Sequence, residues 1–237
     1  RFWCWHSISH DVRDKITLMN RIKISLLFLL VSSLFACAYL PDANPNPEPA
    51  TPLPSGSVLF QDDFANRGSG WNRMQVGEGI MDYDAGGYRI LVNASQTNFW
   101  ATPGRDFSDV RIEVDTGKLA GPDENRIGLI CRFNGNDYYF FMITSDGFYG
   151  TGIYFDGQAI LLGQSELQAS ENIHTGLAVN HLRADCVGDS MTFYVNGFQT
   201  AKFQNDALAS GDVGMLAGTF DTPGVDIIFD NFVVMQP

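Results

Sequence analysis

The sequence predicts an all-β protein: a jelly-roll β-sandwich built from two antiparallel sheets. Three observations carry that expectation. Apolar and polar residues alternate with a period of two, as in Val110, Ile112 and Val114 against Arg111, Glu113 and Asp115, the pattern of a strand with one face in a core and one in water. The alternating runs are short and separated by Asn-Gly and Asp-Gly pairs, whose tolerance of positive φ suits tight hairpins. Glycine and β-branched residues interrupt any sustained helical period.

Taken in order, the first strand lies in VLFQDDF at 58–64, and MQVGEGIMDYD leads into the DAGG turn at 84–87 and the return run YRILV. Thr97 to Trp100 forms another strand, followed by the alternating stretch from Val110. Asn134-Gly135 separates LICRF from DYYFFMI, and Asp156-Gly157 separates GIYF from QAILLG. Met191, Phe193 and Val195 alternate up to Asn196-Gly197, and the return strand runs from Phe198 to Phe203. Only GQSELQAS and QNDALASG have room for a short helical turn. About a dozen strands in this length call for two packed sheets, because each inward face needs cover.

These signals occupy 58–237, a stretch of one-domain size. Residues 38–57, AYLPDANPNPEPATPLPSGS, are rich in Pro, Asn, Ser and Ala and read as a disordered, semi-rigid linker. Ahead of it, 19–37 carries Arg21 and Lys23 and then an apolar run from Ile24 to Ala36, too short to span about 30 Å of hydrocarbon as a helix, and so reads as an export signal. Residues 1–18 read as an upstream extension ahead of a true start at Met19, and Cys4, His6 and His10 within it are weak as metal ligands without a scaffold.

The signal closes in Leu34-Phe35-Ala36-Cys37, which resembles a bacterial lipobox. The resemblance implies lipidation of Cys37 and a domain tethered by a lipid anchor on the extracellular or periplasmic side, without spanning the membrane. The chain has 15 Lys and Arg against 27 Asp and Glu; removing 1–36 leaves ten against 25, a net charge of −15. That balance excludes a basic phosphate-tracking surface and hence nucleic acid as partner.

VLFQDDF, the W-N-R-M start at Trp71, the central YYFFMITSDGFYG block, the FYVNG hairpin and the terminal IIFDNFVV together resemble the concanavalin A-like lectin and glucanase superfamily, with a LamG-like jelly roll. The resemblance implies first and last strands close together on one sheet. It also implies a structural calcium near their meeting, where Asp62, Asp63 and Asp230 are the matching positions. No organic cofactor is expected.

Family 16 glucanases of that superfamily carry E-x-D-x-x-E on one strand, the two Glu flanking the scissile bond. The nearest match is Glu113-Val114-Asp115, and the position of the second Glu is Lys118, which cannot serve as that acid. Glu78, Asp82, Asp84, His174, His181 and Arg183 remain candidates for an arrangement drawn from several strands. No Ser nucleophile elbow, HExxH or phosphate-cradling loop is present.

A binding role rests on aromatic residues, because sugars lay their C–H faces on rings while polar side chains collect their hydroxyls. Asn98 and Trp100 share one strand face. Tyr138 and Phe140 share another with Met142, opposite Tyr139, Phe141 and Ile143, so one aromatic set faces outward and requires either a covering loop or a ligand. Tyr149 and Tyr154 are candidates to line the same groove, with Arg132, Asn134 and Arg111 as hydrogen-bonding partners. Cys131, in phase with Leu129 and Phe133 on the core face, and Cys186, in phase with Leu182 and Ala184, form either one disulfide or two buried thiols.

The sequence thus points to a monomeric, non-catalytic carbohydrate-binding or adhesion module that meets an extracellular glycan or envelope polysaccharide. A glycoside hydrolase or polysaccharide lyase is the alternative, and a structural envelope protein the third.

Overall fold

In a computed structural model, which describes residues 54–237, the period-two runs become strands in antiparallel pairs. They are β1 (Val58–Asp62), β2 (Met74–Val76), β3 (Gly79–Asp84), β4 (Gly87–Val92), β5 (Asn98–Ala101), β6 (Val110–Ala120), β7 (Asn125–Asn134) and β8 (Asp137–Ile143). There follow β9 (Phe148–Phe155), β10 (Gln158–Leu161), β11 (Gln168–Ala169), β12 (Val179–Val187), β13 (Ser190–Val195), β14 (Phe198–Gln204), β15 (Asp212–Thr219) and β16 (Val225–Met235). The export segment, Cys37, the Cys4, His6 and His10 group and most of the Pro-rich linker lie outside the described residues.

A nine-stranded sheet runs β14-β13-β12-β6-β16-β4-β3-β2, with β1 added on β16. A seven-stranded sheet runs β10-β9-β8-β7-β15-β5, with β11 added on β9. The architecture is the expected jelly-roll-like sandwich, and its first and last strands pair directly. That pairing extends past the strand ends, where Gly56 N donates to Gln236 O at 2.8 Å. The Asp156-Gly157 and Asn196-Gly197 turns sit at positive φ between β9 and β10 and between β13 and β14. Neither anticipated helical turn forms; 163–170 instead contributes the two-residue β11, because each stretch is too short and too polar to bury a helical face.

The core lies between the sheets, with Ile90, Ile112, Val114, Leu129, Phe141, Phe193, Phe229 and Val234 fully buried. A Cys131–Cys186 disulfide crosses that core from β7 to β12 and covalently ties one sheet to the other. An aromatic cluster of Phe64, Trp71, Tyr83, Tyr88 and Phe232 fills the core beside β1, with Trp71 edge-on to Phe232 at 4.9 Å. Its polar ends are all tied: Trp71 Nε1 donates to Asp62 Oδ2 at 2.9 Å, the Tyr83 hydroxyl accepts from Trp71 N at 3.1 Å, and the Tyr88 hydroxyl donates to Asn72 O.

Candidate functional site

The two outward sheet faces differ in chemistry. On the nine-stranded sheet, odd-numbered residues of β6 and β12 point outward and pair by charge. Arg111 and Arg183 both meet Asp185, at 3.3 and 2.5 Å. His181 lies between Asp115, 2.8 Å from Nδ1, and Glu113, 3.6 Å from Nε2. Asn231 Nδ2 also donates to Asp115 at 2.9 Å. Glu113 and Asp115 are therefore neighbours on one face, but both are held by the same imidazole.

Lys118 occupies the place of a second glucanase acid and is buried, donating to Asp123 and to Gly121 O. Asp82 and Asp84 serve as partners for Arg73 and Arg89. The Arg73 guanidinium, through a direct hydrogen bond, holds the Asp82 carboxyl below its ordinary value. The His174 imidazole is used locally, its Nδ1 lying 3.0 Å from Val179 O.

On the seven-stranded sheet the outward face is aromatic. Tyr154 of β9 stacks on Tyr138 of β8 at 5.3 Å, and Trp100 of β5 meets Tyr138 at 5.7 Å and Phe133 of β7 at 6.2 Å. The rings thus form a row across strands that pair in the order β9, β8, β7, β15, β5. Gly152 makes room for it: a Cβ there would sit 2.7 Å from the Phe140 ring and 2.1 Å from Ile160 O. Phe140, Met142, Ile130 and Leu216 form the apolar floor, separate from the inter-sheet core.

Beside the rings lies a cleft of about 370 Å³ whose lining includes Asn98, Arg126, Tyr138, Phe140 and Tyr154. Leu167, from the loop after β10, covers one side and leaves the rest open. Tyr138 is only 2% exposed, but its hydroxyl is not sealed in: it reaches the open cleft, and neither it nor the Tyr154 hydroxyl bonds to protein among the described residues. Burial, with a contribution from Tyr154, pushes the Tyr138 phenol up to about 12, so it enters any ligand contact neutral.

Of the sequence-predicted groove residues, Asn98, Trp100, Tyr138, Phe140 and Tyr154 come together here. Four others do not, among them Asn134, exposed at the end of β7 opposite Asp137. Tyr149 is five residues from Tyr154 in an unbroken strand, an odd separation, and faces the inter-sheet core. Arg111 lies on the outward face of the other sheet, paired with Asp185. Arg132 adopts φ 54° at a bulge and turns its guanidinium to Leu208 O at 2.7 Å and to Asp109 at 3.3 Å.

The same bulge moves Phe133 from its expected core face to the outward row, since one extra residue inverts the alternation. Arg126 was not among the expected residues. Its even spacing from Gly128 and Ile130, both on the outward face, was the available signal.

The positions expected to hold calcium all accept local hydrogen bonds. Asp62 spends one oxygen on Phe64 N and the other on the Trp71 indole. Asp63 and Asp230 accept from Ala65 N and Asn231 N. Among the described residues no three His, Cys, Asp or Glu side chains converge as a cation site.

No family model matches the chain, and no curated protein matches it. Solved structures do. The carbohydrate binding module CBM66 from Bacillus subtilis aligns at 15% identity and TM-score 0.58, covering 70% of this chain and 96% of that one. A structure described with endo-acting O-glycanases of the human gut microbiota that initiate mucin breakdown aligns at 12% identity and TM-score 0.56, covering 76% and 99%. A Bacteroides ovatus mixed linkage glucan GH16, in complex with product, aligns at 10% identity and TM-score 0.54, covering 75% and 100%. At such identities these similarities establish the fold alone, an all-β jelly-roll-like sandwich.

Proposed function

We propose that the domain is an exported glycan-binding module that lays a saccharide along the aromatic row of its seven-stranded sheet. The observation that carries this reading is the pair of tyrosine hydroxyls without protein partners, set among rings beside an open cleft. Rings supply the platform for sugar C–H faces, and the hydroxyls with Asn98 supply the polar contacts that fix orientation. The similarity to a carbohydrate binding module along nearly its whole length supports it. Lipidation of Cys37 at the end of the export segment would hold the module at the membrane surface, and loss of palmitate labelling in Cys37→Ala is the check.

A second reading is a glycoside hydrolase or polysaccharide lyase. It is favoured by Glu113 and Asp115, adjacent on the outward face of the nine-stranded sheet, and by the glycan-cleaving proteins among the similar structures. Hydrolysis needs two carboxyls with separate roles and pKa values pushed apart. Glu113 and Asp115 both meet His181 and lie on the sheet opposite the aromatic row, which ranks this reading second.

The test is a glycan array probed with the protein, with calcium and with EDTA, followed by mass spectrometry of the captured glycans after incubation. Retention without new masses supports the module. Product masses that disappear in Glu113→Gln establish the enzyme instead.

A further inference from the structure

Two arginines among the described residues lack a carboxylate within 4 Å: Arg105, whose guanidinium carbon lies 4.5 Å from the centre of the Phe60 ring, and Arg126 in the cleft. Arg67, Arg73, Arg89, Arg111, Arg132 and Arg183 each have a carboxylate within 4 Å. Arg126 has none among the described residues, in a chain with nearly twice as many acidic as basic side chains. Its guanidinium carbon lies 4.0 Å from the centre of the Phe220 ring. Its Nη1 donates to Thr219 O at 2.7 Å and to Asn98 Oδ1 at 3.0 Å.

Both acceptors are neutral and both are taken by one nitrogen. Nη2 and Nε keep their donors unassigned among the described residues, on a group that burial already makes easier to deprotonate. The ring and the two acceptors fix the plane of the guanidinium, so the remaining edge is an oriented fork. A planar fork of N–H donors matches a carboxylate, and a charge-assisted pair of that kind is worth roughly twice a neutral hydrogen bond. The unpartnered Tyr138 hydroxyl lines the same cleft.

An adjoining cleft of about 460 Å³ shares Gln96, Leu167 and Phe220 with the first and is lined by Glu124, Asp146, Glu166 and Asp221. At physiological salt the field of these carboxylates reaches about 8 Å. A chain with an acid on every sugar would have to run against it; one isolated acid beside Arg126 would not.

We infer that Arg126 is a specificity-determining residue that reads a single carboxylate on an otherwise neutral glycan, while the acidic neighbour cleft rejects polyuronates. This rests on the glycan-binding reading of the same face and names the substrate class for it: a neutral saccharide bearing a sparse uronic acid.

The test compares methyl glycosides of glucuronic and galacturonic acid with those of glucose and galactose by ligand-observed NMR titration. It adds polygalacturonate in affinity electrophoresis, for the wild type, Arg126→Gln, Arg126→Lys and Trp100→Ala. The expected result is a uronide preferred over its neutral counterpart by roughly tenfold. In Arg126→Gln the ratio falls to about one, in Arg126→Lys it is intermediate, and polygalacturonate does not retard the protein.

Thermal melts check that the variants fold, and Arg126→Lys carries the test should the Gln variant not fold. Equal binding of acid and neutral sugars, or a ratio unchanged by either Arg126 variant, overturns the inference and leaves the groove reading standing. Strong retardation by polygalacturonate overturns rejection by the acidic cleft, and with it the restriction to sparse acids. Failure of every glycoside to bind, with Trp100→Ala indistinguishable from wild type, overturns the groove reading itself.

Discussion

Two aromatic clusters of similar composition sit on opposite faces of the architecture's design, and they end differently. Phe64, Trp71, Tyr83, Tyr88 and Phe232 lie between the sheets, and each polar end is satisfied within the protein, down to the Trp71 indole on Asp62. Trp100, Phe133, Tyr138 and Tyr154 lie on the outward face of the seven-stranded sheet, and no protein partner meets the hydroxyls of Tyr138 and Tyr154 or the Trp100 indole among the described residues. Burying a polar group without a partner costs free energy, so a core ties off such groups. A face that keeps them beside an open cleft retains donors and acceptors for a ligand. The contrast separates an aromatic core from an aromatic binding surface where ring content alone does not.

The largest effect expected from breaking this contrast is in the core. Trp71→Ala should destabilise the fold by about 5 kcal/mol, since it removes a buried indole and strands the Asp62 oxygen it satisfied. Trp100→Ala, at a partly exposed position, should cost under about 1.5 kcal/mol while weakening glycan retention. Urea melts of the two variants measure the difference, and equal losses would make the outward row a second core.

Next comes the staple between the sheets. Opening the Cys131–Cys186 bond, which spans 55 residues of sequence, should cost about 4 kcal/mol by loop-closure entropy, seen as a lower urea midpoint in reductant. Glycan affinity, measured where the reduced protein is still folded, should not move.

Smaller is the effect of Tyr154→Ala, which removes the ring stacked on Tyr138. It should weaken glycan binding about tenfold, a loss of about 1.4 kcal/mol, with Tyr154→Phe between it and wild type. The smallest concerns the surface pair of Arg73 and Asp82. The depressed folded-state pKa of Asp82 gives stability that is present above the ordinary carboxylate value of 3.8 and is lost as pH falls through the lower folded one. Asp82→Asn should therefore cost under about 1 kcal/mol at neutral pH, a value limited by solvent screening, and nothing in strong acid. Melts at pH 7 and about pH 2 check the sign.

Much of the fold was legible because sheet formation writes itself at period two. The hairpins at Asp156-Gly157 and Asn196-Gly197, the opposed faces of β8 and the terminal strand pairing all follow from alternation, turn chemistry and the lectin-like motifs. The outward aromatic face was legible for the same reason through Tyr138, Phe140, Asn98 and Trp100. What alternation misplaces is whatever a bulge reverses. Arg132 was expected outside and lies inside, and Phe133 was expected inside and lies in the outward row, because the left-handed residue at 132 adds one step that no local residue type announces.

Long-range pairing was also hidden. Neither the meeting of His181 with Glu113 and Asp115 nor the stacking of Arg126 on Phe220 has a signature in the spacing, since each joins segments far apart in sequence.

The most direct test of the central claim is a glycan titration followed by two-dimensional amide and indole NMR on the protein, using the strongest saccharide from the array. The Trp100 indole signal and the amides around Tyr138, Tyr154 and Leu216 should shift in a saturable way while the Trp71 indole stays fixed. Shifts confined to Glu113, Asp115 and His181 on the opposite sheet, with Trp100 unmoved, would contradict that claim and assign the glycan to the charged face.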